Sequence, residues 1–294
     1  MTFKSIELGD KAAIKPMLQN NCYHTGEYSF GNMIIWSELY RPEFAIEDDI
    51  FFVRGKIENK TFYQLPVCKD LKKGIDRLME LLERGESSPA IYGIPLAQME
   101  QIERLYPGVF EFRYRRDRSD YVYNKSDLAD YPGRKYHAKR NYVNRFLKTF
   151  GEINSEPVSP ENIDEIRDFQ SRWLARTLEN HDQSVLEENT AVLRCLDNFS
   201  ELDMFGVLVR ARGRVVAYGI GEMLCEKIAI QHIEKADYEI AGAYPVVTSE
   251  FAKSLPARVT YINREEDLGI EGLRKAKESL FPCRLEDKFT AKLR

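Results

Sequence analysis

The stretch of this sequence best suited to chemistry comes late in the chain. Asn263, Arg264, Glu265 and Asp267 follow a predicted strand and precede a predicted helix at 270–281. Ligands of α/β proteins commonly bind where strands end, and the backbone N–H groups at a helix start attract anions. An amide here could stabilise an oxyanion, a carboxylate could orient an amine or accept its proton, and an arginine could hold a phosphate or a carboxylate.

The predicted helix adds Arg274 and Lys277 to this stretch. Lys277 lies at the edge of the apolar stripe, so its ammonium could pair with a ligand or an acid, or could reach solvent beyond a packed stem. Capping is the simpler explanation for two acids, because Asp267 can cap the helix and Glu271 favours its first turn. Capping does not account for the whole cluster, so we predict a site there.

A second candidate is a basic segment at 134–148. It contains six basic residues and no acid, whereas residues 149–207 contain 13 acids and 4 bases, a net charge of −9. The segment has helical spacing, and Lys139, Arg140 and Asn141 fall close to its apolar stripe. One interpretation is a solvated basic face; the other is an anion site for a phosphate group or an RNA backbone.

A third candidate is the turn at 238–245, which contains Gly242 and Tyr244. A glycine between a strand and a helix allows a ligand to approach the backbone closely, although the segment could equally be a plain turn. The phenol of Tyr244 could support an oxyanion.

Several enzyme and metal classes lack motif support. The sequence has no GxSxG, P-loop, HExxH or GxGxxG pattern, no CxxC pair, and no metal spacing among the histidines at 24, 137, 181 and 232. We therefore predict no hydrolase, NTPase, zincin or dinucleotide enzyme of those types, and no metal site.

The elements that must position these residues alternate between strands and helices. Apolar periodicity predicts helices, and β-rich runs between them predict strands. The helices fall at 69–84, 96–105, 160–180, 185–199, 245–255 and 270–281. A hairpin is predicted at 204–224, with Gly213 in a turn that needs a positive φ. The two halves share an element order, so we predict a duplicated α/β domain with a boundary near 125–155.

Composition is consistent with a packed core. The chain has 294 residues, of which 43% are hydrophobic, and a net charge of −4. No apolar run approaches the roughly 20 residues that a membrane helix needs, and the first residues lack the apolar region of a secretory signal. We therefore expect a cytoplasmic protein with no transmembrane segment.

Several strings resemble a known bacterial family. They are SFGNMIIW at 29–36, YHAKRN at 136–141, NREEDLG at 263–269, GLRKAK at 272–277 and EDK at 286–288. They are similar to a family related to the C-terminal catalytic region of phosphatidylglycerol lysyltransferase. The resemblance covers essentially the whole chain.

The resemblance implies two tandem acyl-CoA N-acyltransferase (GNAT)-like domains, with mixed, mostly antiparallel sheets flanked by helices, as in the Fem-type aminoacyltransferases. It places the first repeat at 1–135 and the second, with the cleft, at 136–294. Lysyltransferases carry a membrane module that this sequence does not show. The Q/R-x-x-G-x-G/A loop of acetyl-CoA enzymes aligns with 239–244 and fails at both ends.

The leading hypothesis is an acyltransferase that moves an aminoacyl group from charged tRNA to an amine or hydroxyl of a small molecule, a peptide or a lipid head group. The alternatives are a CoA-dependent N-acyltransferase and a non-catalytic RNA- or metabolite-binding protein. The oligomeric state is left open. The predicted catalytic residues are Asn263, Glu265 and Asp267. The predicted substrate- or donor-binding residues are Lys139, Arg140, Asn141, Gly242, Tyr244, Arg264, Arg274 and Lys277.

Overall fold

The chain forms two compact units in the computed structural model, which describes residues 1–58, 60–83, 90–178 and 183–294. The described residues exclude the last positions of two predicted helices, at 84 and at 179–180, and also His181. Unit 1 consists of Met1–Tyr121, Glu265–Lys275 and Arg284–Arg294. Unit 2 consists of Val122–Arg264 and Ala276–Cys283.

The elements are numbered in chain order. The strands are β1 (Lys4–Ser5), β2 (Glu43–Glu47), β3 (Ile50–Ile57), β4 (Lys60–Gln64), β5 (Ala90–Pro95), β6 (Phe110–Tyr114), β7 (Asp120–Asn124), β8 (Asn154–Pro157), β9 (Phe205–Ala211), β10 (Arg214–Cys225), β11 (Ile228–Ala236), β12 (Tyr261–Asn263), β13 (Arg284–Glu286) and β14 (Lys288–Leu293). The helices are α1 (Lys11–Asn20), α2 (Phe30–Ile35), α3 (Ser37–Tyr40), α4 (Leu71–Glu83), α5 (Leu96–Leu105), α6 (Lys125–Asp130), α7 (His137–Phe150), α8 (Ile163–Leu178), α9 (Gln183–Asp197), α10 (Ala243–Ser254) and α11 (Glu271–Glu278).

Unit 1 is built on a sheet in the order β1-β2-β3-β4-β5-β14-β6. Neighbouring strands are antiparallel, except that β4 and β5 run parallel. The connection between those two strands is α4, which buries Leu71, Ile75, Leu78 and Leu82. This spacing of three and four residues places the apolar side chains on one face of the helix. The run 284–293 is divided at Asp287 into β13 and β14.

Unit 2 repeats this plan with a sheet in the order β7-β12-β11-β10-β9-β8. Its only parallel pair among the described strands is β11 with β12. The β9–β10 hairpin closes at Arg212 and Gly213, whose φ angles are 50° and 75°. Two positive φ angles are the requirement of a two-residue hairpin turn, so the predicted role of Gly213 is confirmed.

The connection between the parallel strands of unit 2 is α10, which is largely buried. Val246, Val247, Phe251 and Ala252 are each inaccessible to solvent, and the Phe251 ring stacks on Phe205 at 5.7 Å between centroids. The helix begins at Ala243, two residues before the predicted start.

Helices flank mostly antiparallel, mixed sheets in both units, which confirms the predicted fold class. No helix in the described parts of the chain combines the length and the apolar character needed to cross a bilayer.

Candidate functional site

The two parallel strands of unit 2 separate part-way along their length. Their ladder pairs Ile228 with Tyr261 and ends where Ile230 pairs with Asn263, while β11 continues to Ala236. The second half of β11 and Arg264, the residue after Asn263, therefore lie at the opening between the two strands. Strand ends of this kind are where α/β folds commonly bind ligands.

A β-bulge in β11 turns polar side chains toward this opening. Gly221 pairs with Gln231 and Ile220 pairs with Ile233, so His232 is the extra residue. In a regular strand, residues three apart point to opposite faces; across the bulge, Gln231 and Glu234 share a face. The Gln231 amide Nε2 donates to Glu234 Oε2 at 3.1 Å.

Glu234 binds two further donors. Its Oε2 accepts from Thr248 Oγ1 of α10 at 2.9 Å, and its Oε1 accepts from Arg264 Nη2 at 2.6 Å. The Arg264 and Glu234 side chains are 11% and 10% exposed. Burial lowers the pKa of Arg264, but the neighbouring Glu234 carboxylate raises it, and the pKa ends above its ordinary value. The guanidinium is therefore a fixed positive charge in a nearly dry environment.

Two polar atoms of this network have no hydrogen-bond partner among the described residues. They are Nη1 of Arg264 and Oε1 of Gln231. A buried polar group without a partner costs about 1–3 kcal/mol, so each one needs an explanation, such as a catalytic role or a bound water or ion.

Two lysines add positive charge near the opening. The Lys277 ammonium donates to the backbone carbonyl of Arg264, and the Lys139 ammonium donates to Ser279 Oγ at 2.7 Å. Burial, and then the charge of Arg264, lower the pKa of Lys139. Three cationic side chains thus stand against the single carboxylate of Glu234, which favours an anionic group or an oxyanion.

The other predicted residues of the basic segment make local contacts. Arg140 donates to the carbonyls of Tyr131 and Gly133, the second at 2.6 Å, and so ties the start of α7 to the loop that follows α6. Asn141 is exposed, and its Nδ2 lies 3.4 Å from His137 Nδ1.

The predicted turn at Gly242 is occupied by protein. Its φ is +93°, and a Cβ there would lie 2.2 Å from the backbone oxygen of Tyr142 in α7. The close approach that requires glycine is therefore the packing of α7 against the start of α10. Tyr244 lies in the first turn of α10 and is 38% exposed.

Three predicted site residues belong to unit 1. Asp267 is fully buried, and its carboxylate accepts from Arg274 Nε and Nη2 at 2.8 and 3.0 Å, from Tyr121 Oη at 2.7 Å, and from Arg116 Nη1 at 3.1 Å. Although burial raises it, the hydrogen bonds from Arg274 and Tyr121 hold the pKa of Asp267 well below its usual range. A carboxylate this strongly held is a poor proton acceptor and a good anchor.

Glu265 is the third of these residues. It has a left-handed backbone with a φ of 58°, its carbonyl accepts from the Tyr121 amide at 3.1 Å, and its Oε1 accepts from Asn32 Nδ2 at 3.2 Å. A non-glycine residue in this region of φ is uncommon and indicates a backbone fixed by its surroundings.

A buried network of charges in unit 1 was not predicted as a site. Lys288, 1% exposed, places Nζ 2.7 Å from both Glu27 Oε1 and Asp120 Oδ1, and 3.6 Å from Glu266 Oε2. Burial raises the pKa of Asp120 to about 7, against the opposing effect of Lys288. Lys288 occurs in one of the family-like strings, but Glu27 and Asp120 lie far from it in sequence and follow no local pattern.

In unit 1, tyrosine side chains lie where the two parallel strands separate. Its parallel ladder ends where Gln64 pairs with Tyr92. Beyond that point Tyr28 Oη donates to the Gly93 carbonyl at 3.3 Å, and Tyr23 Oη donates to the Pro66 carbonyl at 2.9 Å. Tyrosines from the segment between α1 and α2 thus occupy the separation of β4 and β5.

The comparisons with known proteins agree with this architecture. Residues 21–292 match the family described as phosphatidylglycerol lysyltransferase, C-terminal. A conserved protein of unknown function from Bacteroides thetaiotaomicron VPI-5482 is 34% identical over 100% of both chains, with a TM-score of 0.95.

Two more distant structures share the fold. L-PGS from Bacillus licheniformis is 14% identical over 97% of this chain and 92% of that chain, with a TM-score of 0.66. FemX is 9% identical over 99% of this chain and 97% of that chain, with a TM-score of 0.63. None of the curated protein sequences is similar enough to count as a match.

Proposed function

We propose a function for this chain from the premise that it belongs to the phosphatidylglycerol lysyltransferase C-terminal family. The predicted resemblance and the tandem GNAT-like fold are both confirmed. The proposed activity is transfer of an aminoacyl group from charged tRNA to an amine or hydroxyl acceptor. The acceptor would be a small molecule, a peptide or a lipid head group. Because charged tRNA is the donor, we place the reaction in the cytoplasm.

The observation that carries this proposal is the Arg264–Glu234 pair at the separation of β11 and β12. Aminoacyl esters are already activated, so much of the catalysis can come from positioning and from stabilising the oxyanion that forms. Arg264 offers a fixed charge and a free Nη1 donor at this point. We assign the reaction to unit 2 because this charged pair lies there.

Roles for the other predicted residues follow from their positions. We propose that Lys277 and Lys139 hold the phosphate of the terminal nucleotide and that Asn263 orients the acceptor; the role of Glu265, in unit 1, stays a prediction from the sequence. Asp267, held by Arg274, would fix the segment after β12 and would not transfer a proton. Arg140 and Gly242 would shape the site through α7, and Asn141 and Tyr244 would line its outer edge.

The exposed face of α7 is the proposed tRNA contact. Arg145 and Lys148 are exposed there, and the Arg145 guanidinium lies 5.5 Å from the ring centroid of Tyr142, which is 46% exposed. Basic side chains neutralise phosphates, and aromatic rings stack on unpaired bases. Replacing Arg145 and Lys148 with alanine is expected to weaken tRNA binding and to reduce its salt dependence.

The test is a transfer assay with purified protein and a tRNA pool carrying radiolabelled amino acids, with lipid, peptide and amine acceptors offered separately. We expect transfer by the wild-type chain and a loss of at least ~100-fold in the Arg264→Ala variant, as for removal of one oxyanion donor. Arg167→Ala is the matched control, since Arg167 pairs with Asp197 at the surface of unit 2.

Transfer by Arg264→Ala at the wild-type rate would refute this assignment. Stabilisation by CoA or acetyl-CoA without any effect of charged tRNA would favour a CoA-dependent N-acyltransferase instead. Binding of tRNA without turnover of any donor would favour an RNA-binding protein.

A further inference from the structure

Two buried atoms flank the same carboxylate in unit 2 and have no partner among the residues described. Gln231 is 4% exposed; its Nε2 donates to Glu234, and its Oε1 has no partner. Arg264 donates to Glu234 through Nη2, and its Nη1 has no partner. One atom is an acceptor and the other is a charged donor. Because each is bonded through its neighbouring nitrogen to Glu234, both lie within one small network.

Three features of the chain hold this network in place. The bulge at His232 brings Gln231 onto the face of Glu234. The Thr248 hydroxyl fixes the carboxylate from α10. Gly219 of β10 leaves room for the amide, because a Cβ there would lie 2.7 Å from Gln231 Nε2.

The ligand that completes this network must offer one acceptor, for Arg264 Nη1, and one N–H or O–H donor, for Gln231 Oε1. An ionised carboxylate would satisfy Arg264 but would offer no hydrogen to the Gln231 oxygen, which is costly in a buried site. An α-aminoacyl group has a carbonyl oxygen and an α-amine separated by two carbons. The adjoining ester withdraws electrons and lowers the basicity of this α-amine, so the amine can bind as a neutral N–H donor.

We propose that this network is the subsite for the α-aminoacyl group of the donor: Arg264 Nη1 donates to the carbonyl oxygen, and Gln231 Oε1 accepts from the α-amine. The assignment rests on the proposed function and deepens it. It makes Gln231 the residue that distinguishes a free α-amine from a blocked one.

The transfer step balances with these roles. The acceptor nitrogen or oxygen attacks the ester carbon and forms a new bond, while the carbonyl electron pair moves onto the oxygen beside Arg264. The pair then returns, the ester C–O bond breaks, and the ribose hydroxyl leaves with the proton that the acceptor loses. No oxidant or further reactant is needed.

The test uses 3′-aminoacylamido-3′-deoxyadenosine, a stable analogue of the tRNA terminus, with its α-amine free or acetylated. Calorimetry is expected to show at least ~10-fold tighter binding of the free-amine form by the wild-type chain, and less than ~2-fold preference in Gln231→Met. Gln64→Met is the matched control, because Gln64 also has a buried, unpaired Oε1 but lies in unit 1. It should keep the full preference.

The outcomes separate the two proposals. Equal binding of both analogues by the wild-type chain, or a full preference in Gln231→Met, would overturn the subsite and leave the proposed function standing. Failure of the wild-type chain to bind either analogue or to transfer from any charged tRNA would overturn the proposed function. If Gln231→Met does not fold, Gly219→Ala displaces the same amide and should lose the same preference.

Discussion

Replacing Glu234 with alanine is expected to destabilise unit 2 by about 3–5 kcal/mol, the usual cost of leaving a buried charge without its partner. The Glu234 carboxylate accepts from Arg264 at 2.6 Å, from Thr248 at 2.9 Å and from Gln231 at 3.1 Å. Its removal leaves one buried guanidinium without a counter-charge and two further buried donors unpaired. The Arg264 side chain is 11% exposed, so water reaches little of the guanidinium and compensates little of the loss.

Unit 2 can be followed by its own tryptophan. The chain has two tryptophans, and Trp36 lies in unit 1 while Trp173 lies in unit 2. In a Trp36→Phe background, urea unfolding monitored by fluorescence therefore reports on Trp173. The free energy of unfolding of Glu234→Ala is then compared with that of the same background without the substitution.

Two further variants make the measurement specific. Replacing Glu234 and Arg264 together with methionine should recover most of the loss, because no charge is then buried. Asp197→Ala removes an exposed ion pair with Arg167 and should cost less than about 1 kcal/mol. A loss below about 1 kcal/mol for Glu234→Ala, or no recovery in the double variant, would refute the reasoning.

Three other predictions concern backbone and charge. Gly242→Ala should lower the melting temperature more than Gly213→Ala. Both glycines have a positive φ, but only a Cβ at position 242 would meet backbone, 2.2 Å from the Tyr142 oxygen. Equal shifts in melting temperature would contradict this. The pKa of Asp267 is depressed in the folded state, so its contribution to stability is present above its unfolded pKa of ~3.9 and is lost as the pH falls through the folded value. The difference in urea stability between wild type and Asp267→Asn should therefore shrink in acid, and a pH-independent difference would disprove it. Lys288→Met leaves three carboxylates around a buried position without their counter-charge, so unit 1 should be destabilised by at least ~3 kcal/mol. The same urea assay, with Trp36 as the reporter, measures this loss. A loss under ~1 kcal/mol would rule the prediction out.

Local patterns were sufficient to predict most of the regular elements. The spacing of Leu71, Ile75, Leu78 and Leu82 identifies α4, and Gly213 marks the hairpin turn. The short helices α2, α3 and α6 and the strand β8 were not predicted, because elements of four to six residues contain too few positions to establish a period. A break in one strand, such as that at Asp287, likewise depends on neighbouring strands.

The candidate site could be predicted from the sequence only where its residues lie close together in the chain, and not where the fold assembles it. Arg264 and Lys277 belong to one stretch of polar residues after a strand, and that signal was visible. Gln231 and Glu234 are three residues apart in a strand, so they would point to opposite faces without the bulge at His232. No pattern of residues in the sequence predicts that bulge. The roles and the repeat boundary at 135/136 stay predictions.

The position of β14 has a consequence for how unit 1 folds during synthesis on the ribosome. This strand lies between β5 and β6, yet it follows every other strand of that sheet in the chain. Until residues 288–293 are synthesised, β5 and β6 have no common neighbour and each exposes an unpaired edge. The pairing of β14 with both strands therefore closes this sheet only after residues 288–293 have been made.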